Sequence, residues 1–169
     1  MAITSQQWAT FRTHVKAQAK GSAIGTAYAG GPGKVDDLVA LYNAQTGTKV
    51  WRSDIKTPEL INAVVMSEFL ANGFITAGKQ PAMNLLLQLG SGGLDATNAN
   101  VRTSFNTIWT GTTTLTNLTA LAQRVCTLFE SLYLTAAAPA NVCDPAIYGH
   151  AVTRVEVGQA LWDDQTNPL

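Results

Sequence analysis

The chain has 169 residues with 11 basic and 11 acidic side chains, so its formal net charge is zero. Its length fits one ordinary domain with a real core, and a hydrophobic share of 46% excludes a wholly disordered chain. Charged residues make up only 13%, about half the roughly 25% of a typical soluble domain, and Thr, Asn, Gln and Ser supply the polar cover instead.

Thr4-Ser5-Gln6-Gln7 reads as a capping box, the Thr4 hydroxyl and the Gln7 amide each satisfying an orphan N–H. Trp8, Phe11 and Val15 follow at helical spacing and Gly21 is a fair stop, which predicts a first helix over residues 5–20. Residues 21–33 are rich in Gly, Ala and Ser and close on Gly30-Gly31-Pro32-Gly33. That composition suits a flexible arm, or a loop that orders on assembly. Val35, Leu38, Val39, Leu41 and Tyr42 mark a short second helix broken by Gly47, and residues 48–51 are β-prone enough for a small strand.

Thr57-Pro58-Glu59 reads as a helix start with Thr57 as N-cap, Pro58 at the first helical position and an acid in the first turn. The apolar face continues through Leu60, Ile61, Val64, Val65, Phe69 and Leu70 to Asn72-Gly73. Pro81 opens a further helix through Met83, Leu85, Leu86, Leu87 and Leu89 to Gly90, apolar nearly all round and so expected to be central. Val101, Phe105, Ile108 and Trp109 form one stripe of a helix stopped by Gly111.

The longest helix is expected over residues 114–134, with a near-heptad seam of Leu115, Leu118, Leu121/Ala122, Val125, Leu128/Phe129 and Leu132. A core-facing amphipathic helix is favoured over an intermolecular coiled coil. Ala136-Ala137-Ala138-Pro139 closes it, and residues 147–152 have the makings of a short strand. Thr153-Arg154-Val155-Glu156 is a second capping box, opening a final helix through Val157, Ala160, Leu161 and Trp162. Residues 163–169 read as a frayed tail. Together these signals predict a single all-α domain over residues 1–169. It is a small bundle of about six helices, with a Gly-rich extended loop and at most one or two short strands.

The search for chemistry is short. A nucleic-acid binder carries a basic patch, and no Lys/Arg cluster occurs. No apolar run approaches the roughly 18 residues of a spanning helix. Met1 to Gln7 hold neither a basic nor an apolar leader region, so no secretory leader is expected. Cys126 and Cys143 do not make a disulfide framework, and a reducing cytoplasm suits them. Only two histidines exist, His14 and His150, with no metal-ligand spacing. Cys126 reads as a buried thiol, and a Cys126/His150 nucleophile pair has no activating neighbours in sequence. Gly30-Gly31-Pro32-Gly33-Lys34 fails as a phosphate loop: Tyr28 and Val35 stand where Gly and Ser/Thr are needed, and Pro32 lacks a donor. Asn117-Leu118-Thr119 matches a glycosylation sequon inside an expected helix and is discarded. No catalytic residue, metal or cofactor is expected, and the chain is expected not to be an enzyme.

Three segments carry a resemblance: Val50-Trp51-Arg52-Ser53-Asp54-Ile55, Asn100-Val101-Arg102-Thr103-Ser104-Phe105, and Tyr148-Gly149-His150 with Thr153-Arg154-Val155-Glu156-Val157-Gly158-Gln159-Ala160. With Val39-Ala40-Leu41-Tyr42-Asn43-Ala44 ahead of them, their order resembles a group of small virion-associated proteins of tailed bacteriophages. The likeness spreads over residues 35–162, and none of its motifs is catalytic. With the expected helical body, it looks like the head-to-tail adaptor class, small proteins that ring the base of the portal in the neck of the virion. The resemblance implies a homo-oligomeric ring of about twelve copies, built on one heterologous interface. It implies portal, neck and tail proteins as partners, DNA passing through the lumen without specific binding, no membrane, and a virion assembled in the host cytoplasm. On that reading residues 21–33 are the contact arm, and Tyr28, Lys34, Trp51, Arg52 and Trp162 are the interface residues. Another virion structural protein (neck, tail or capsid-decorating) is the neighbouring reading. A small helical protein with an apolar ligand pocket is the rival from another class.

Overall fold

The computed structural model describes residues 3–21, 33–71, 84 and 93–162. Among them the elements run α1 (Ser5–Gly21), α2 (Gly33–Asn43), β1 (Gln45–Trp51), α3 (Thr57–Ala63), α4 (Met66–Ala71), α5 (Ala99–Trp109) and α6 (Thr113–Leu121). They continue with β2 (Gln123–Thr127), α7 (Leu128–Ser131), β3 (Leu134–Ala137), β4 (Ala140–Cys143) and α8 (Arg154–Trp162). The strands form one sheet of order β2-β1-β4-β3. Strands β3 and β4 are antiparallel, with Leu134 opposite Cys143 and Ala137 opposite Ala140. This α/β architecture corrects the expected all-α bundle with at most one or two short strands.

The correction falls mainly on residues 114–134. The apolar seam there is real, but it joins three elements. Helix α6 ends at Leu121, β2 follows, and α7 restarts at Leu128. Two local features explain the break. Val125, Cys126 and Thr127 are weak helix formers. Thr127 and Glu130 form a capping box, the Thr127 N–H donating to Glu130 Oε2 (2.9 Å) and the Glu130 N–H to Thr127 Oγ1 (3.2 Å). A start signal inside an apolar run outweighs the run's period. Pro139 then sits in the two-residue link between β3 and β4, where a helix terminus was expected. No strand forms over residues 147–152: 147–149 end a turn and 150–152 are irregular, Ile147 and Tyr148 N–H both reach the Asp144 carbonyl, and Gly149 takes a φ of 73°. That left-handed value favours glycine.

A second long helix is also divided. The apolar face starting at Thr57 breaks at Val64, which is extended, before α4 begins. The Val65 N–H donates to Thr114 Oγ1 (2.9 Å), a long-range bond that takes the place of a helical one. Helix α3 begins at Thr57, so Lys56 and not the expected Thr57 is its N-cap, and Pro58 lies in its first turn. Apart from Asn84, the expected Leu-rich helix at 81–90 lies outside the described residues, as do residues 22–32 of the expected arm and the tail at 163–169.

The chain divides into two compact units, Met1–Thr48 with Val125–Leu169 and Lys49–Arg124. In the first, α1 packs on α8, α8 on α2 and α2 on α7. Trp8, Phe11 and Val15 of α1 are buried, with Leu38 and Tyr42 of α2, Phe129 of α7, and Val157 and Leu161 of α8. Phe11 meets Tyr42 and Phe129 edge-on at 5.0 and 4.9 Å, a favoured geometry for aromatic quadrupoles. Both predicted capping boxes form here: the Gln7 N–H donates to Thr4 Oγ1 and the Thr4 N–H to Gln7 Oε1, while Thr153 and Glu156 do the same at α8. In the second unit α5 and α3 pack on α6. The predicted stripe is inward, with Phe105, Ile108 and Trp109 buried together with Leu60 and Leu118. Ile55 and Leu94 exchange backbone hydrogen bonds of 3.2 and 2.7 Å.

The strand order also places the cysteines. Both are buried, Cys126 in β2 and Cys143 in β4, and β1 lies between those strands. Two strand spacings put them about 9.5 Å or more apart, beyond the roughly 7 Å Cα limit for a disulfide. Both thiols are therefore expected to resist a thiol reagent in the native protein and to react when it is denatured. A disulfide in a non-reducing peptide map would overturn this strand order.

Candidate functional site

Carboxylates at N-termini organise the described polar groups. In the second unit, the carboxylate of Glu68 accepts from the Thr113 and Thr114 N–H groups, both at 2.8 Å, and from the Thr114 hydroxyl at 2.7 Å. It thereby caps α6, beside the Thr112 side chain that accepts from the Leu115 N–H. Partial desolvation raises the Glu68 pKa, but the hydrogen bonds from Thr114 and Thr113 outweigh it and hold the group at about 2 instead of 4.5. Because the folded value is the lower one, the unfolded chain takes up the proton first as pH falls. The stabilisation from this cap is complete above about pH 4.5 and drains away as pH falls towards 2. Glu68→Gln is expected to flatten the acid limb of the stability curve in that window. An NMR titration midpoint for the Glu68 carboxyl near 4.5 would contradict the cap.

Arg52 and Trp51 belong to the same unit. Arg52 Nη1 and Nη2 donate to the two carboxylate oxygens of Glu59 (2.8 and 3.2 Å), Nε donates to Asp54 (3.1 Å), and Nη1 also reaches the Leu121 carbonyl (3.4 Å). The guanidinium pair and the Lys56 N–H hold the Glu59 carboxyl below its ordinary range. With its side chain 18% exposed, Arg52 thus ties β1's exit to α3 and to the end of α6. Trp51 is 3% exposed, and the Arg102 guanidinium lies over its ring at 5.1 Å, a cation–π distance. Arg102 also donates to the Ala96 and Thr97 carbonyls. Arg102 stands in one of the resembling segments, and its local sequence carries no signal for this role. Arg102 and Trp51 lie 51 positions apart, and no local pattern joins them.

Of the other predicted interface residues, Tyr28 lies outside the described residues. Lys34 falls in the first turn of α2 and Trp162 at the end of α8, and their side chains also lie outside the description. Of the five, the described side chains are those of Trp51 and Arg52, which are chain neighbours.

In the first unit, four side chains converge on the segment from Asp144 to Thr153. Gln7 Nε2 of α1 donates to Asp144 Oδ2 (2.9 Å). Asn43 of α2 exchanges two bonds with Val152, Nδ2 to the carbonyl and N–H to Oδ1, both 2.8 Å. Glu130 of α7 accepts the Gly149 N–H (2.7 Å), and Glu156 of α8 meets His150 Nε2 (2.8 Å). Sequence reading missed this convergence. The signal it overlooked is the Thr127…Glu130 spacing, a capping box hidden inside the expected long helix. Cys126 and His150 have separate partners: Cys126 Sγ lies 3.3 Å from the Thr46 hydroxyl, while His150 pairs with Glu156 and rests on the Phe129 ring at 5.3 Å. No group of three or more His, Cys, Asp or Glu suited to a metal occurs among the described residues. None of their helices is long and apolar enough to cross a membrane.

The side chains of the α5–α6 hairpin itself form an uncharged surface, with the Glu68 carboxylate at the start of α6. From Thr103 to Gln123 the chain carries no charged side chain. Asn100, Thr103, Asn106, Thr107, Thr110, Thr113, Thr116 and Ala120 are exposed there. The hydroxyls of Ser104, Thr107 and Thr110 donate to the carbonyls of Asn100, Thr103 and Asn106, and Asn106 Nδ2 donates to Arg102. Much of the face's donor capacity is already used inside the helix. Covering such a face forfeits less hydration than covering charges would. No protein-family model matches this chain, and no curated protein or solved structure matches it either.

Proposed function

We propose that this chain is a structural protein of a tailed-bacteriophage virion, of the head-to-tail adaptor class, forming a ring that joins the portal to the tail. The α/β body removes the argument from an all-helical fold. The observation that carries the reading is the uncharged α5–α6 face, which suits burial against other protein. The order of the resembling segments points the same way. So does the use made of Glu59, Glu68, Glu130 and Glu156, each of which closes a helix start or a loop.

The test is native mass and negative-stain imaging of the protein alone and mixed with the portal encoded nearest its gene. A ring, or a portal complex carrying about twelve copies, is the expected result. A monomer that ignores the portal would overturn the adaptor reading. A small molecule that stabilised such a monomer would favour the ligand-binding reading instead.

A further inference from the structure

We draw no further inference here: the strongest candidate, the uncharged outward face of the α5–α6 hairpin, carries nothing beyond the reading above because nothing in the structure shows what covers it.

Discussion

Phe129→Ala is expected to destabilise the protein by about 4 kcal/mol, the middle of the range for removing a buried phenylalanine. Phe129 is fully buried and stands at the centre of an aromatic group. Its ring meets Phe11 at 4.9 Å, Tyr133 at 5.4 Å and His150 at 5.3 Å, so its loss strips contacts from α1, from the segment after α7 and from the turn before α8. The remaining backbone bonds of that turn, and the Tyr133 hydroxyl bond to the Gln7 carbonyl, restrict how far the walls can collapse. Limited collapse keeps the cost from falling to the low end of that range. Denaturant unfolding followed by near-ultraviolet circular dichroism measures it. A loss below about 1.5 kcal/mol, the range of volume-conserving swaps, would mean that the ring is not packed as described.

Glu130→Ala is expected to cost about 3 kcal/mol, by a different physical route. The carboxylate is completely buried and accepts from the Thr127 N–H and the Gly149 N–H. Removing it deletes a helix cap and strands two N–H groups. Thr127 is half-buried and Gly149 exposed, so water relieves part of the second loss. Glu130→Gln keeps the shape and one carbonyl oxygen but turns an amide donor towards an N–H, so it should fall between wild type and Glu130→Ala. Hydrogen exchange locates the effect: the Gly149 amide should lose protection in Glu130→Ala ahead of the amides of α8. Unchanged protection at Gly149 would show that Glu130 does not fasten this turn.

These two neighbours show where local and tertiary information part. The caps of α1 and α8 were legible because Thr4–Gln7 and Thr153–Glu156 satisfy each other within four residues. The Phe105, Ile108 and Trp109 stripe was legible because one helix face repeats its exposure every turn. Strand β1 was seen in its second half only. Gly47 looked like a breaker, whereas it occupies an exposed position of the strand, between half-buried Thr46 and Thr48.

Strands β2, β3 and β4 were not legible, since each is four or five residues long and a pairing partner defines it. The seam from Leu115 to Leu132 satisfies a heptad count, and a heptad count is blind to a change of element midway. Nor could local reading reach the hub at residues 144–153, held by Gln7, Asn43, Glu130 and Glu156. Gln7 meets Asp144 across 137 positions and Asn43 meets Val152 across 109.

By itself, then, the sequence determined the low charge, the capped starts of α1 and α8 and the apolar faces of α1 and α5. Each depends on residues within about two turns of one another. The tertiary structure alone decided the sheet, the division of the two long apolar runs, and the fates of Trp51, Arg52 and Glu130. Those depend on which distant backbone or side chain arrives to satisfy a buried polar group or cover a ring, and burial makes that satisfaction obligatory.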